Sequence, residues 1–139
     1  MQTISQRSIS HQSAQQLIQA AERYAGQQKL SIAACVVDVH GRVKSLLIMD
    51  NTPLIADELV VKKAQTALLG MTSADFAAAI EPVPAMEKSM LDLQHITLLG
   101  GGLPIFHNDQ IIGALAVGGA TVDQDIACAE AALQSLDEQ

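Results

Sequence analysis

Leu98-Leu99-Gly100-Gly101-Gly102-Leu103-Pro104-Ile105 and Ile111-Ile112-Gly113-Ala114-Leu115-Ala116-Val117-Gly118-Gly119 decide how this chain folds. Between the two apolar runs lies Phe106-His107-Asn108-Asp109-Gln110, whose Asn-Asp pair readily takes the positive φ of a tight turn. The block therefore reads as a β-hairpin in the middle of a sheet. Its glycines bring backbone close to another element, another subunit or a ligand.

Upstream, Ser10 caps a predicted helix to about Gln28, with Ala14, Leu17, Ile18, Ala21 and Ala25 on one apolar face. Leu30 to Val39 is a near-continuous apolar run that suits a strand buried on both sides. Asp38-Val39-His40-Gly41 turns the chain, and Arg42 to Asp50 returns as a less buried outer strand. Pro53 ends that strand. A second helix is predicted from Ala56 to Leu69, with Val60, Ala64, Ala67 and Leu68 inward and Gly70 as its stop. Thr72 or Ser73 caps a short helix through Ile80, ended by Glu81-Pro82-Val83-Pro84. Ala85 to Leu93 adds a helical turn or two with Met86, Met90 and Leu93 facing in, and His95 to Leu99 reads as a short strand. Thr121 caps the last helix, where Asp123 and Asp125 complement the macrodipole. Hairpins in place of βαβ repeats predict an α/β fold with a largely antiparallel five-stranded sheet flanked by helices. Residues 1–139 read as a single domain.

Hydrophobic residues make up 49% of the chain with only 2% aromatic, and the mean hydropathy is +0.24. Such surplus apolar surface predicts a homo-oligomer. Eight Lys+Arg against fifteen Asp+Glu give a net charge of −7, which disfavours nucleic acid as a partner. No Lys or Arg follows Lys88, so an anion in the C-terminal half needs backbone N–H groups or a cation borrowed from elsewhere. Cys35 and Cys128 have neither CxxC nor zinc spacing and read as buried reduced thiols. With no apolar signal region at the start and no run near the length of a membrane span, the expectation is a cytoplasmic protein without a membrane partner.

In chain order, Val36-Val37-Asp38-Val39-His40-Gly41, Met49-Asp50, Lys63-Ala64-Gln65-Thr66-Ala67, Gly101-Gly102-Leu103-Pro104-Ile105, Ile112 to Gly119 and Asp125-Ile126-Ala127-Cys128-Ala129 resemble the GlcG/HbpS family. This haem-binding-like domain also forms the C-terminal part of PduO-type corrinoid adenosyltransferases. The resemblance implies a profilin-like fold and an oligomer, in some members an octamer. It also implies haem as a ligand for some relatives, and an association with glycolate, propanediol or glycerol utilisation for others. No adenosyltransferase domain lies within these 139 residues, so that activity is not carried over, and no motif position here maps onto an axial haem ligand.

The glycines form neither a Gly-Lys-Ser/Thr loop nor a GxGxxG opening a helix, which excludes the usual phosphate and dinucleotide cradles. Gly118, Gly119 and Thr121 deliver a strand into a helix N-terminus, where free N–H groups attract an anion such as a haem propionate; Asp123 and Asp125 compete for that field. Of His11, His40, His95 and His107, the candidate axial ligands are His95 and His107, against the simpler reading as exposed or core-satisfied residues. Met49, Met86 and Met90 are soft partners or core filler. Lys63, at the border of a buried helix face, could pair, snorkel or, with Gly100, Gly101 and Gly102, hold a small ligand. No nucleophilic triad can be assembled from chain spacing. Three functions stay open: a small-molecule-binding protein with haem or a related tetrapyrrole as ligand, an enzyme acting on a small carboxylate or hydroxy compound, and a structural assembly module.

Overall fold

A computed structural model describes residues 1–137 of the chain. Helix α1 (His11–Gln27) is followed by strands β1 (Ala33–Asp38) and β2 (Val43–Ile48), then helices α2 (Ile55–Ala67), α3 (Ser73–Ile80) and α4 (Pro84–Met90). The hairpin β3 (Gly102–His107) and β4 (Gln110–Gly118) leads into α5 (Val122–Asp137). The four strands pair antiparallel in the order β2-β1-β4-β3. Asn108 and Asp109 both have positive φ, at 50° and 62°, which closes the β3–β4 turn as their side chains permit.

Side-chain alternation divides the core into two layers. Ala34, Val36, Leu115 and Val117 face α1 and α5 together with Leu17, Ile18 and Ala129. On the opposite face, Ala33, Cys35, Ala114 and Ala116 meet Ala56, Val60, Ala64 and Ala67 of α2. These small residues seat a single helix close to the sheet. The sheet is thus covered on both faces, with β1 and β4 at its centre.

Three expectations are corrected. The sheet has four strands, because His95 to Leu99 is irregular: the Thr97 N–H donates to Thr66 Oγ1 at 2.9 Å, so its backbone is satisfied by α2 and not by a ladder. Only β4 of the glycine-rich hairpin is central. β3 is an edge strand, a position that tolerates Pro104, which has no N–H to donate. Met86 and Leu93 are exposed and α4 buries no residue, since the Pro82 and Pro84 breaks carry this segment off the sheet beside α3.

Candidate functional site

Lys63 lies on the same helical face as Ala56, Val60 and Ala67, and this periodicity takes it into the interior, where it is 3% exposed. Its Nζ donates to the Val117 carbonyl at 3.1 Å and to Asp125 Oδ2 at 3.0 Å. Asp125 is equally buried, at 2% exposed, because Cys128, Ala129 and Ala132 continue its face of α5 at the i+3, i+4 and i+7 positions. Asp125 Oδ1 accepts the Ala120 N–H at 3.0 Å. Thr121 and Gln124 cap the helix reciprocally: Thr121 Oγ1 accepts from Gln124 N, and Gln124 Oε1 accepts from Thr121 N. The first turn of α5 is therefore held by its own side chains, and Asp125 serves Lys63. The cation missing from the C-terminal half is borrowed from α2.

The glycine run is the seat of this lysine. A Cβ at Gly102 would strike the Lys63 carbonyl, and one at Gly101, where φ is +125°, would meet the Val117 carbonyl and the Lys63 stem. Gly100 is closed in by Ile126, Val122 and Ala74. These three glycines serve close packing. Above the ion pair opens a cleft of about 170 Å³, walled by Ile55, Leu59, Leu99 and Val122 and floored by Lys63, Asp125, Gly118 and Gly119. Of the sequence-predicted residues, Lys63, Gly118 and Gly119 meet in it, Thr121 caps the adjoining helix, Gly101 and Gly102 lie against the lysine, and Gly100 packs beside Val122 and Ile126.

His107 stands elsewhere, at the end of β3 and exposed, on a second cleft of about 480 Å³. Ile9, Leu17, Ile105, Phe106, Ile112, Leu133 and Leu136 give it apolar walls, with Arg7, Ser8 and Asp137 among its polar lining. The short segment ahead of α1 closes one side, held by the Ile9 N–H donating to the Ile112 carbonyl at 2.8 Å and Ser8 Oγ accepting from Val39 N. His95 is exposed with its Nδ1 3.0 Å from Gln65 Oε1, in a depression of about 500 Å³ lined mainly by polar groups: Glu58, Lys62, Gln65 and Gln94. The two depressions are similar in size; aliphatic and aromatic side chains dominate the lining at His107, whereas the stems and heads of polar side chains dominate it at His95.

His11 and His40 face solvent. Among the described residues, no three His, Cys, Asp or Glu side chains gather as a metal centre requires. Burial pushes the Cys35 thiol up to about 12 and, with the nearby Asp125 charge, the Cys128 thiol up to about 11, so neither is a nucleophile at neutral pH. Asp38 is a turn aspartate. Burial raises its pKa, but the backbone N–H groups of Arg42 and His40 and the Arg42 guanidinium outweigh that, leaving the carboxyl below its ordinary value.

Fold and clefts together define a small helix-covered antiparallel-sheet protein. Residues 9–134 match the family described as "Haem degrading protein HbpS-like", and the chain belongs to that family. It is 32% identical over 132 residues to an uncharacterized 15.0 kDa protein from the dhaT-dhaS intergenic region of Citrobacter freundii, covering 94% of this chain and 93% of that one. Protein ORFY of Klebsiella pneumoniae superposes with a TM-score of 0.93 at 29% identity, over 100% of this chain and 97% of the other. The crystal structure of a PduOC:heme complex superposes with a TM-score of 0.84 at 26% identity, over 92% and 94% of the two chains.

Proposed function

We propose that this protein binds haem or a related tetrapyrrole in the His107 cleft. The observation that carries the reading is the make-up of that cleft: apolar walls, one imidazole and one guanidinium in a single concavity that opens to solvent and so can hold one edge of a larger ring. Its volume falls within the roughly 300–1,000 Å³ of small-molecule sites. The residues fit the group. Ile105, Ile112, Leu133 and Leu136 offer a surface for the macrocycle, with Phe106 available to stack. His107 is the candidate axial ligand, and Arg7 is the partner for a propionate. Asp137 repels a propionate from its own end of the cleft, which orients the acid edge toward Arg7. Haem held there supplies an iron centre whose reactivity the axial ligand and pocket polarity tune.

The family match and the haem-bound PduOC neighbour support this reading. It extends to association between copies, supported by the exposed Val43, Leu46 and Ile48 on edge strand β2. It also includes an accessory role in glycolate or diol and glycerol utilisation, which rests on the family resemblance, and a cytoplasmic location, with which the two free thiols agree. No described helix is long and apolar enough to cross a membrane.

Titration of the purified chain with ferric haem tests the reading. A saturable Soret shift at micromolar haem is expected; a featureless, non-saturating increase would overturn it.

A further inference from the structure

The cleft over the Lys63–Asp125 pair is separate from the His107 cleft, shares no lining residue with it, and has chemistry of its own. We infer that it is a second binding site, taking a small neutral hydroxy compound of about five or six non-hydrogen atoms. Size sets the scale. A cavity of about 150 Å³ holds a benzene, so about 170 Å³ suits a ligand of about that many atoms.

Charge sets the class. Lys63 and Asp125 neutralise one another, so the floor of the cleft is polar but carries no net charge. A carboxylate entering beside Lys63 would also stand against Asp125, and an ammonium would meet Lys63. A hydroxyl suits both partners. An ammonium has three donors, of which two are used within the described residues, on Val117 and Asp125. The Asp125 carboxylate accepts two hydrogen bonds, from Lys63 and Ala120, and has lone pairs to spare. One alcohol oxygen can therefore accept a hydrogen bond from Lys63 while its O–H donates one to Asp125. Ile55, Leu59, Leu99 and Val122 provide apolar walls for the carbon chain. Ile55 is 67% exposed and Leu99 and Val122 are each 42% exposed, which leaves the mouth open to solvent.

Gly118 offers a variant that tests the cleft without breaking the ion pair. A Cβ there would sit 3.6 Å from Lys63 Nζ and 3.9 Å from the Ala56 Cβ, in ordinary contact and at no positive φ, so Gly118→Ala puts a methyl on the cleft floor and keeps the fold. The full chain, labelled with nitrogen-15, is titrated with 1,2-propanediol and separately with propionate while the Gly118, Gly119 and Ala120 amide resonances are followed. Saturable shifts with the diol are expected, with none from propionate at equal concentration, and Gly118→Ala should weaken diol binding about tenfold or more, equivalent to about 1.4 kcal/mol. Absence of saturable diol shifts, equal binding of propionate, or unaltered diol affinity in Gly118→Ala would each overturn the inference. Haem titration of the same variant is expected to match the parent, so the two sites stand or fall separately.

Discussion

Lys63 of α2 and Asp125 of α5 join the two faces of the sheet: the helices cover opposite sides, and the side chains meet at 3.0 Å beside the end of β4. The pair is anchored further through the Val117 carbonyl and the Ala120 N–H. Removing one partner strands the other as a buried charge. Lys63→Met and Asp125→Leu are each expected to destabilise the fold by about 3–5 kcal/mol, and the double variant by clearly less than their sum. A double-mutant cycle from urea unfolding checks this; strict additivity would show that the two charges are not coupled.

Asp38 makes part of the stability depend on pH. Its folded pKa lies below the unfolded value of about 3.9, so its contribution is fully present above that value and lost as pH falls through the folded pKa. Asp38→Ala should cost about 1–3 kcal/mol at neutral pH, through the unsatisfied His40 and Arg42 N–H groups. Urea midpoints of parent and variant are expected to converge as the pH drops below about 4.

Two glycines only sixteen positions apart should respond differently to the same methyl. At Gly102 the Cβ would overlap the Lys63 carbonyl, which is backbone and cannot move without displacing α2. Gly102→Ala is expected to lose about 1–3 kcal/mol, while Gly118→Ala stays within about 0.5 kcal/mol of the parent. Thermal unfolding of the two variants in parallel measures the contrast.

Both cysteines are buried, and their thiols are pushed up to about 12 for Cys35 and about 11 for Cys128. At pH 8 the folded protein is expected to resist a thiol reagent, and both residues should react once denaturant unfolds the chain. Labelling followed by mass spectrometry distinguishes the two states.

Much of the fold is legible because its signals are local. Ser10 and Thr72 accept the hydrogen bonds expected of helix caps, and Asn108-Asp109 closes the expected turn. The errors arise where a distant partner decides. Nothing in His95 to Leu99 announces that Thr66 will bind the Thr97 backbone, and the apolar spacing of Met86, Met90 and Leu93 does not reveal that Met86 and Leu93 stay exposed. The edge position of β3 was written in Pro104. The partnership of Lys63 with Asp125 left a readable trace, since each falls at helical spacing within an apolar face: Lys63 with Val60 and Ala67, Asp125 with Cys128, Ala129 and Ala132. Reading Asp125 only as a complement to the helix dipole hid the pairing. His95 and His107 look alike in sequence, and only the packing of Leu133 and Leu136 against the end of β3 gives one of them an apolar cleft.

The comparison of His107→Ala with His95→Ala in the ferric haem titration tests the central claim most directly, because both residues are exposed and neither is part of the core. The predicted result is that His107→Ala loses the saturable Soret shift or weakens it at least about tenfold, a difference of about 1.4 kcal/mol, while His95→Ala titrates like the parent. Unchanged haem binding in His107→Ala, or its loss in His95→Ala alone, would contradict the assignment of the ligand to the His107 cleft.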